Sequence, residues 1–489
     1  MSKSSPSIVI IGAGFGGLAA AIELRKAGYD DIVILEKGDD VGGVWRENTY
    51  PGAACDVPSP FYSYSYAPNP EWPQRYSPQP AILEYARQVS EEFDVRRHIR
   101  TGVAVASAEW DDATAQWLVV CEDGSEYRGD VLVPAMGQLS RPANPRIDGL
   151  TTFVGAAFHS AQWDHSVDLT GKRVGVIGTG ASAIQFVPAI QPDVAQMTVF
   201  QRTAPYLVPR MDTIYSTGHH TLFRRVPLTQ RAERVSWAAV VESLSVAWLY
   251  SRPMANALRR LSKWHMRRQA KSKPGLFERI WPDYPIGCKR LLFSDSYVPA
   301  LTQPNVDLVT ESITAVEKDG VRTADGVLHE ADVLIYGTGF ATTEFLAPVT
   351  FRGRAGVELA DQWANGARAY FGLTMPNFPN LVMMYGPNTN TGGGSVIYFL
   401  EVQAAYLRAY VDAMVAEGSP LEVRAEVEDD FDRRTQEKLS SSVWTHCHSW
   451  YTDANGRIST NWPGLPTEYK RQVSFNRDDY TTAPAGVRA

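Results

Sequence analysis

Ile8-Val9-Ile10-Ile11-Gly12-Ala13-Gly14-Phe15-Gly16-Gly17, running on through a helix-like stretch to Gly28 and then Ile32-Val33-Ile34-Leu35-Glu36, decides the fold of this 489-residue chain. An apolar run that breaks into Gly-x-Gly-x-x-Gly, continues as a helix and returns as a second apolar run ending in an acid is the pattern of a strand-helix-strand nucleotide-binding unit. The pattern recurs. Val174-Gly175-Val176-Ile177 leads into Gly178-Thr179-Gly180-Ala181-Ser182-Ala183, and Met197-Thr198-Val199-Phe200 ends in Gln201-Arg202. Glu36 lies 24 residues after Gly12 and Arg202 lies 24 after Gly178, so the two side chains occupy equivalent strand tips.

Each glycine has a physical task. The first (Gly12, Gly178) allows the tight turn, and the second (Gly14, Gly180) lets backbone approach a pyrophosphate. The third (Gly17, or the small Ala183) lets helix and strand pack closely. The free N–H groups of the helix N-terminus then face the phosphate charge. A carboxylate at the strand tip accepts hydrogen bonds from a ribose, whereas a guanidinium pairs with a 2′-phosphate. The first site is therefore expected to take FAD or NAD, and the second NADPH.

The remaining composition is that of a globular enzyme. Hydrophobic residues make up 44% and charged residues 21%, the length suits two or three domains, and the net charge of −7 argues against a nucleic-acid partner. The four cysteines, Cys55, Cys121, Cys288 and Cys447, are far apart and form no CxxC, so neither a disulfide framework nor a metal knuckle is expected. His446-Cys447-His448 alternates without a fourth ligand nearby, which is poor metal spacing. No signal peptide is read ahead of the first strand, and a cytoplasmic location is expected. Trp237 to Tyr250 is short and carries Glu242, so a buried helix is expected there rather than a membrane span.

Two interleaved Rossmann-like α/β domains with a helical insertion are expected. Asp130 to Gly137 and Asp332 to Gly339 each read as a strand running into a glycine turn, where the chain crosses between domains. Between Arg210 and about Pro282 helical periodicity replaces strand signals. The basic run Arg259, Arg260, Lys263, Arg267, Arg268, Lys271 and Lys273 within it reads as a solvated amphipathic face. Val396 to Glu417 has helical spacing. The expected division is 1–145 and 385–489 for the first nucleotide domain, 146–210 and 285–384 for the second, and 211–284 for the insertion.

Three further motifs carry a resemblance. Gly42-Gly43-Val44-Trp45-Arg46-Glu47-Asn48-Thr49-Tyr50-Pro51-Gly52-Ala53-Ala54-Cys55-Asp56 resembles the flavin-proximal stretch of class B flavoprotein monooxygenases. Phe153, Gly155, His159, Trp163 and Asp164 fit FxGxxxHxxxW(P/D), the signature of type I Baeyer–Villiger monooxygenases, and Pro285 to Arg290 is similar to that family's PxGxKR segment. Val44 stands where many members have threonine, and Ala54 where many have arginine.

The resemblance implies FAD and NADPH as cofactors, with dioxygen and a ketone as substrates. One oxygen atom would enter beside the carbonyl through a peroxyflavin, giving an ester or lactone. It implies that Arg290 keeps the peroxide deprotonated and that Asp56 holds Arg290. Gly43, Val44, Trp45 and Tyr62, with Asp56, would contact the flavin. Arg202, Thr203 and Lys289 would meet the 2′-phosphate, while Thr179, Gly180, Ala181, Ser182, Ala183 and Gln185 would line the pyrophosphate and nicotinamide side. Trp450 would face cofactor and substrate, and His159 would serve the interdomain connection rather than act as a base. The alternative within the same chemistry is oxygenation of an amine or sulfide. A pyridine nucleotide–disulfide reductase shares the domain pair but needs the absent CxxC, and a non-catalytic flavin-binding protein would have no use for Asp56 and Arg290.

Overall fold

Ile8–Ile11 (β1) is buried along its whole length, as a parallel strand covered on both faces must be. The computed structural model, which describes residues 5–390, 392–447 and 449–483, pairs it in parallel with Ile32–Glu36 (β2) and Val131–Pro134 (β4). With Ile99–Thr101 (β3) these strands form a sheet in the order β3-β2-β1-β4. Helix α1, Phe15–Lys26, connects β1 to β2. Its Leu18, Ala19, Ala20, Ala21, Ile22 and Leu24 are all buried, because it is clamped between this sheet and the helix Val396–Glu417.

The second sheet has the order β8-β7-β6-β9-β5: Val306–Val309 (β8), Gln196–Phe200 (β7), Arg173–Ile177 (β6), Val333–Tyr336 (β9) and Ala156–His159 (β5). All of its pairings are parallel. Helix α2, Ala183–Ile190, joins β6 to β7. Both sheets therefore contain the strand-helix-strand units read from the glycine patterns, each with its own apolar core.

Residues 211–284 are helical where they are regular: Thr217–Arg225 (α3), Pro227–Leu249 (α4), Arg252–Gln269 (α5) and the single turn Leu276–Ile280. The stretch Trp237 to Tyr250 lies mostly in α4 and is not wholly buried, since Ala239, Val240 and Ser243 face outward. Among the described residues no helix is long and apolar enough to cross a membrane.

Two expectations need correction. The chain returns to the first sheet soon after Tyr336 rather than at 384: Leu346, Phe351, Met375 and Leu381 pack with Val9 and Leu35, and Thr350–Arg352 pairs with Val105–Asp111. Residues 340–384 have no periodicity that distinguishes the two cores, which is why the sequence places the boundary late. Secondly, Cys288 and Cys447 form a disulfide, with Cα atoms 6.2 Å apart. They are 159 residues apart in sequence, a separation at which spacing says nothing of proximity. Cys55 and Cys121 are free and buried.

One buried acid makes stability depend on pH. Glu428, with its side chain 1% exposed, has an ionic contact of 3.2 Å with Arg368 but no hydrogen bond. Burial pushes its carboxyl up to about 7. A folded value above the unfolded one means that this contribution to stability is complete below the ordinary glutamate range and is lost as pH rises through about 7. Glu428→Gln is therefore expected to stabilise the protein at about pH 8, by at most about 3 kcal/mol, and to do nothing at about pH 4. Equal melting shifts at both pH values would contradict this reading.

Candidate active site

The glycines separate into two kinds. A Cβ on Gly12 would lie 2.8 Å from the Ala135 carbonyl oxygen, on Gly17 1.9 Å from that of Gly12, and on Gly178 2.4 Å from that of Gly337. The fold itself excludes side chains there. Gly14 and Gly180 differ: a Cβ at Gly14 would come no closer than 3.7 Å to its nearest neighbour, Gly43, and at Gly180 no closer than 4.0 Å to the Gly337 oxygen. Neither has a positive φ. The polypeptide does not require glycine at these two positions, whereas a phosphate lying on the backbone does. The N-termini of α1 and α2 likewise lack a side-chain cap, leaving their first N–H groups for a ligand.

Gly14→Ala and Gly180→Ala should accordingly leave the thermal stability of the apoprotein nearly unchanged. Each is expected to lower affinity for its own dinucleotide by about tenfold or more, roughly the worth of one charge-assisted hydrogen bond from the backbone. Gly17→Ala should instead unfold the first domain. Calorimetry of apoprotein alongside dinucleotide titration distinguishes these outcomes, and retained affinity in Gly180→Ala would remove this loop from the nucleotide site.

Glu36 is 4% exposed and already engaged: its carboxylate accepts from the N–H groups of Ala13 and Gly38, both at 2.8 Å, and from Arg46 at 2.9 Å. Trp45 donates its indole N–H to the Tyr62 hydroxyl at 3.0 Å, and Tyr62 packs edge-on to Phe15 at the start of α1. Val44 begins a single helical turn after Gly43, whose φ of 54° brings the backbone against Gly14. These expected flavin contacts therefore gather at one end of β1.

At the second fingerprint, Thr179 donates to the Thr203 carbonyl at 2.9 Å, tying the glycine loop to the β7 tip. Ala183 is fully buried. Arg202 is exposed, and nearby Lys289 is held below the ordinary lysine range by burial first and by the Arg202 charge next. Two cations kept within electrostatic reach make a place for a dianion.

Gln185 does something the sequence did not indicate. Its side-chain oxygen accepts from the Tyr50 hydroxyl at 3.0 Å and from the Ala54 N–H at 3.3 Å, and its amide donates to the Ala54 carbonyl at 3.0 Å. Tyr50 also packs edge-on against Phe186. The Gly42–Asp56 stretch is thereby bolted to α2, and Asp56 is set where the two fingerprints converge.

There Arg290 donates from Nε to one Asp56 oxygen at 3.0 Å, and from Nη2 to both oxygens at 2.7 and 2.8 Å. Their side chains are 27% and 21% exposed. The Asp56 charge holds the guanidinium above its ordinary range, against the opposing effect of burial. Two phenols unforeseen from sequence, Tyr385 and Tyr451, lie within electrostatic reach of Arg290. Burial pushes Tyr451 up to about 12 and raises Tyr385 further, so both stay protonated. Trp450 packs on Tyr451 with ring centroids 4.3 Å apart, and its carbonyl accepts from Thr342 at 2.9 Å. The disulfide joins the Arg290 segment to this C-terminal loop, two residues from Arg290 and three from Trp450.

Among the described residues, the remaining motif makes no hydrogen bond to this pair. His159 ends β5 beside Tyr336, 2% exposed, with its Nδ1 accepting from the Ala161 N–H at 3.1 Å and its ring against Phe340. Burial keeps it below the ordinary histidine range. Gly155 has no room for a side chain, because a Cβ would meet the Asp332 oxygen at 2.2 Å and the Phe153 ring at 2.7 Å. Trp163 packs between Phe158 and Phe186, and exposed Asp164 accepts from Ser166. His448 lies outside the described residues; among those described, no cluster of three or more His, Cys, Asp or Glu side chains could hold a metal ion.

Known proteins resemble this chain in sequence and fold. Residues 9–217 match a family described as pyridine nucleotide-disulphide oxidoreductase. A Baeyer–Villiger monooxygenase of Streptomyces coelicolor is 42% identical over 472 residues, covering 95% of this chain and 90% of the relative. Among solved structures, an oxidized steroid monooxygenase bound to NADP superimposes with a TM-score of 0.85 at 31% identity, over 96% of this chain and 97% of that one. An OTEMO complex with FAD and NADP gives 0.87 at 27% identity, over 98% and 99%.

Proposed function

Since the chain belongs to the Baeyer–Villiger monooxygenase family, we propose that it binds FAD and NADPH and uses dioxygen to insert one oxygen atom beside a ketone carbonyl, giving an ester or lactone. The observation that carries this reading is the bidentate Arg290–Asp56 pair at the convergence of two nucleotide-binding fingerprints. In the corresponding division, the first sheet with the chain beyond Tyr336 holds FAD and the second sheet holds NADPH. Residues 211–284 are an insertion into the latter. The open cradles at Gly14 and Gly180 fit the two dinucleotides, with Glu36 on the flavin's ribose and Arg202 and Lys289 on the 2′-phosphate.

When bound, the flavin supplies electron transfer from NADPH to dioxygen and delivery of one oxygen atom to the ketone. Arg290 keeps its charge throughout the working pH range, so it stabilises a developing oxyanion without acting as a proton source. Asp56 fixes the plane of the guanidinium. Tyr385 and Tyr451, protonated and within electrostatic reach of Arg290, together with Trp450 packed on Tyr451, would limit the access of water to the guanidinium. Gln185 holds the two nucleotide sites in register. A cytoplasmic location belongs to the same proposal, with Cys288 and Cys447 reduced there and paired on oxidation.

An anaerobic titration tests the cofactor half of this reading. FAD-loaded protein is expected to be bleached by NADPH far more readily than by NADH, and ketones are expected to accelerate NADPH consumption in air. A bound flavin that NADPH leaves oxidised would contradict it.

A further inference from the structure

The helical insertion is chemically unlike the rest of the chain. Eleven of the thirteen large apolar side chains exposed among the described residues lie within 211–284. The same segment contains thirteen Lys and Arg but only five Asp and Glu, on a chain whose net charge is −7. From the coincidence of these two features we infer that the insertion seats the enzyme on the surface of an anionic lipid bilayer.

Helix α5 shows the arrangement most clearly. Its Ser262, His265 and Met266 are buried. Its outward residues Met254, Leu261 and Trp264 recur at helical spacing, and Trp264 is 54% exposed. Beside that stripe, Arg260, Lys263, Arg267, Arg268 and Lys271 line a shallow depression of about 400 Å³ together with Trp264. No acidic residue occurs anywhere in α5. Helix α4, which packs on α5, exposes Leu228, Val235 and Val240, with Val235 at 67%. An apolar stripe containing a tryptophan and flanked by cations is the surface of a helix lying in the headgroup region, its apolar side chains in the acyl boundary and its cations on lipid phosphates. No described helix is long and apolar enough to cross a membrane, so the contact inferred is interfacial.

Charge selects this occupant over others. A second copy would oppose one strongly basic face to another, and a nucleic acid would leave Leu261, Val235 and Met254 in water. The inner side of the insertion adds a consequence. Trp248 of α4 packs with Trp444 and Tyr451, and against Gly287 a Cβ would meet it at 2.4 Å. The helices that carry the outward stripe therefore also touch the loops around Arg290.

The test is co-sedimentation of the full-length, FAD-loaded protein with phosphatidylcholine vesicles made with and without phosphatidylglycerol. Binding is expected to the anionic vesicles only and to weaken with salt. The charge-reversed variant Arg260→Glu/Lys263→Glu/Lys271→Glu should bind about a hundredfold more weakly, the combined effect of three surface cations. Leu261→Ser/Trp264→Ser should lose about tenfold or more while keeping its charge. Flavin absorbance and the thermal midpoint verify that both variants are folded. Failure of the parent protein to bind anionic vesicles, or equal binding to neutral ones, overturns the inference. So does unaltered binding by the Leu261→Ser/Trp264→Ser variant. A dimer that this variant dissolves, or DNA binding without vesicle binding, would assign the face to another occupant.

Discussion

Replacing Arg290 with alanine is expected to leave NADPH able to bleach the bound flavin and to stop ester formation. The guanidinium is held by three short hydrogen bonds to Asp56, and its charge is reinforced by that neighbour. Removing it deletes the fixed cation to which the proposed function assigns the developing oxyanion, and leaves Asp56 as an uncompensated, largely buried anion. Breaking such a pair costs about 3–5 kcal/mol. If that cost falls on the oxygenation step, the rate drops by roughly two to three and a half orders of magnitude. Hydride transfer makes no comparable demand. NADPH consumption should therefore continue, with hydrogen peroxide replacing ester. Arg290→Lys should recover little, since a point-like ammonium cannot reproduce the bidentate plane. Stopped-flow flavin reduction, ester yield and hydrogen peroxide yield, measured together, decide the matter. Normal ester formation in Arg290→Ala would remove the residue from the chemistry. Asp56→Ala should impair both half-reactions while FAD remains bound.

The second large effect is expected at the β7 tip. Burial and the Arg202 charge both disfavour the Lys289 cation, a cost that the 2′-phosphate proposed for this place would relieve. A charge-assisted hydrogen bond is worth about 1.5–3 kcal/mol. Arg202→Ala and Lys289→Ala should therefore each weaken NADPH by about tenfold to a hundredfold. NADH, which lacks the 2′-phosphate, should be affected little by either change, and FAD content not at all. An NADPH titration unchanged in both variants would move the phosphate site elsewhere.

What could be read in the sequence was whatever local geometry enforces. The strand before each glycine loop and the helix after it follow from backbone sterics and period. Val396–Glu417 was legible for the same reason, because one face of a long helix must be apolar. The Arg290–Asp56 pair was legible only through motif resemblance, since 234 residues separate its members. Interactions made by the fold without a local pattern stayed hidden. The Cys288–Cys447 disulfide, the Gln185 bolt to Tyr50 and Ala54, and the approach of Tyr385 and Tyr451 to Arg290 all join distant segments. The insertion misled in another way. Its periodicity correctly indicated helices, but an amphipathic pattern does not say which face turns inward, and much of the apolar stripe of α5 turns out.

The most direct measurement is product analysis after incubating FAD-loaded protein with NADPH, isotopically labelled dioxygen, and a panel of linear, cyclic and aryl ketones with one sulfide. Esters or lactones carrying a single labelled oxygen are the expected products. Sulfoxide formed in the absence of any labelled ester, under conditions where NADPH is consumed, would contradict the ketone assignment and leave a heteroatom oxygenase.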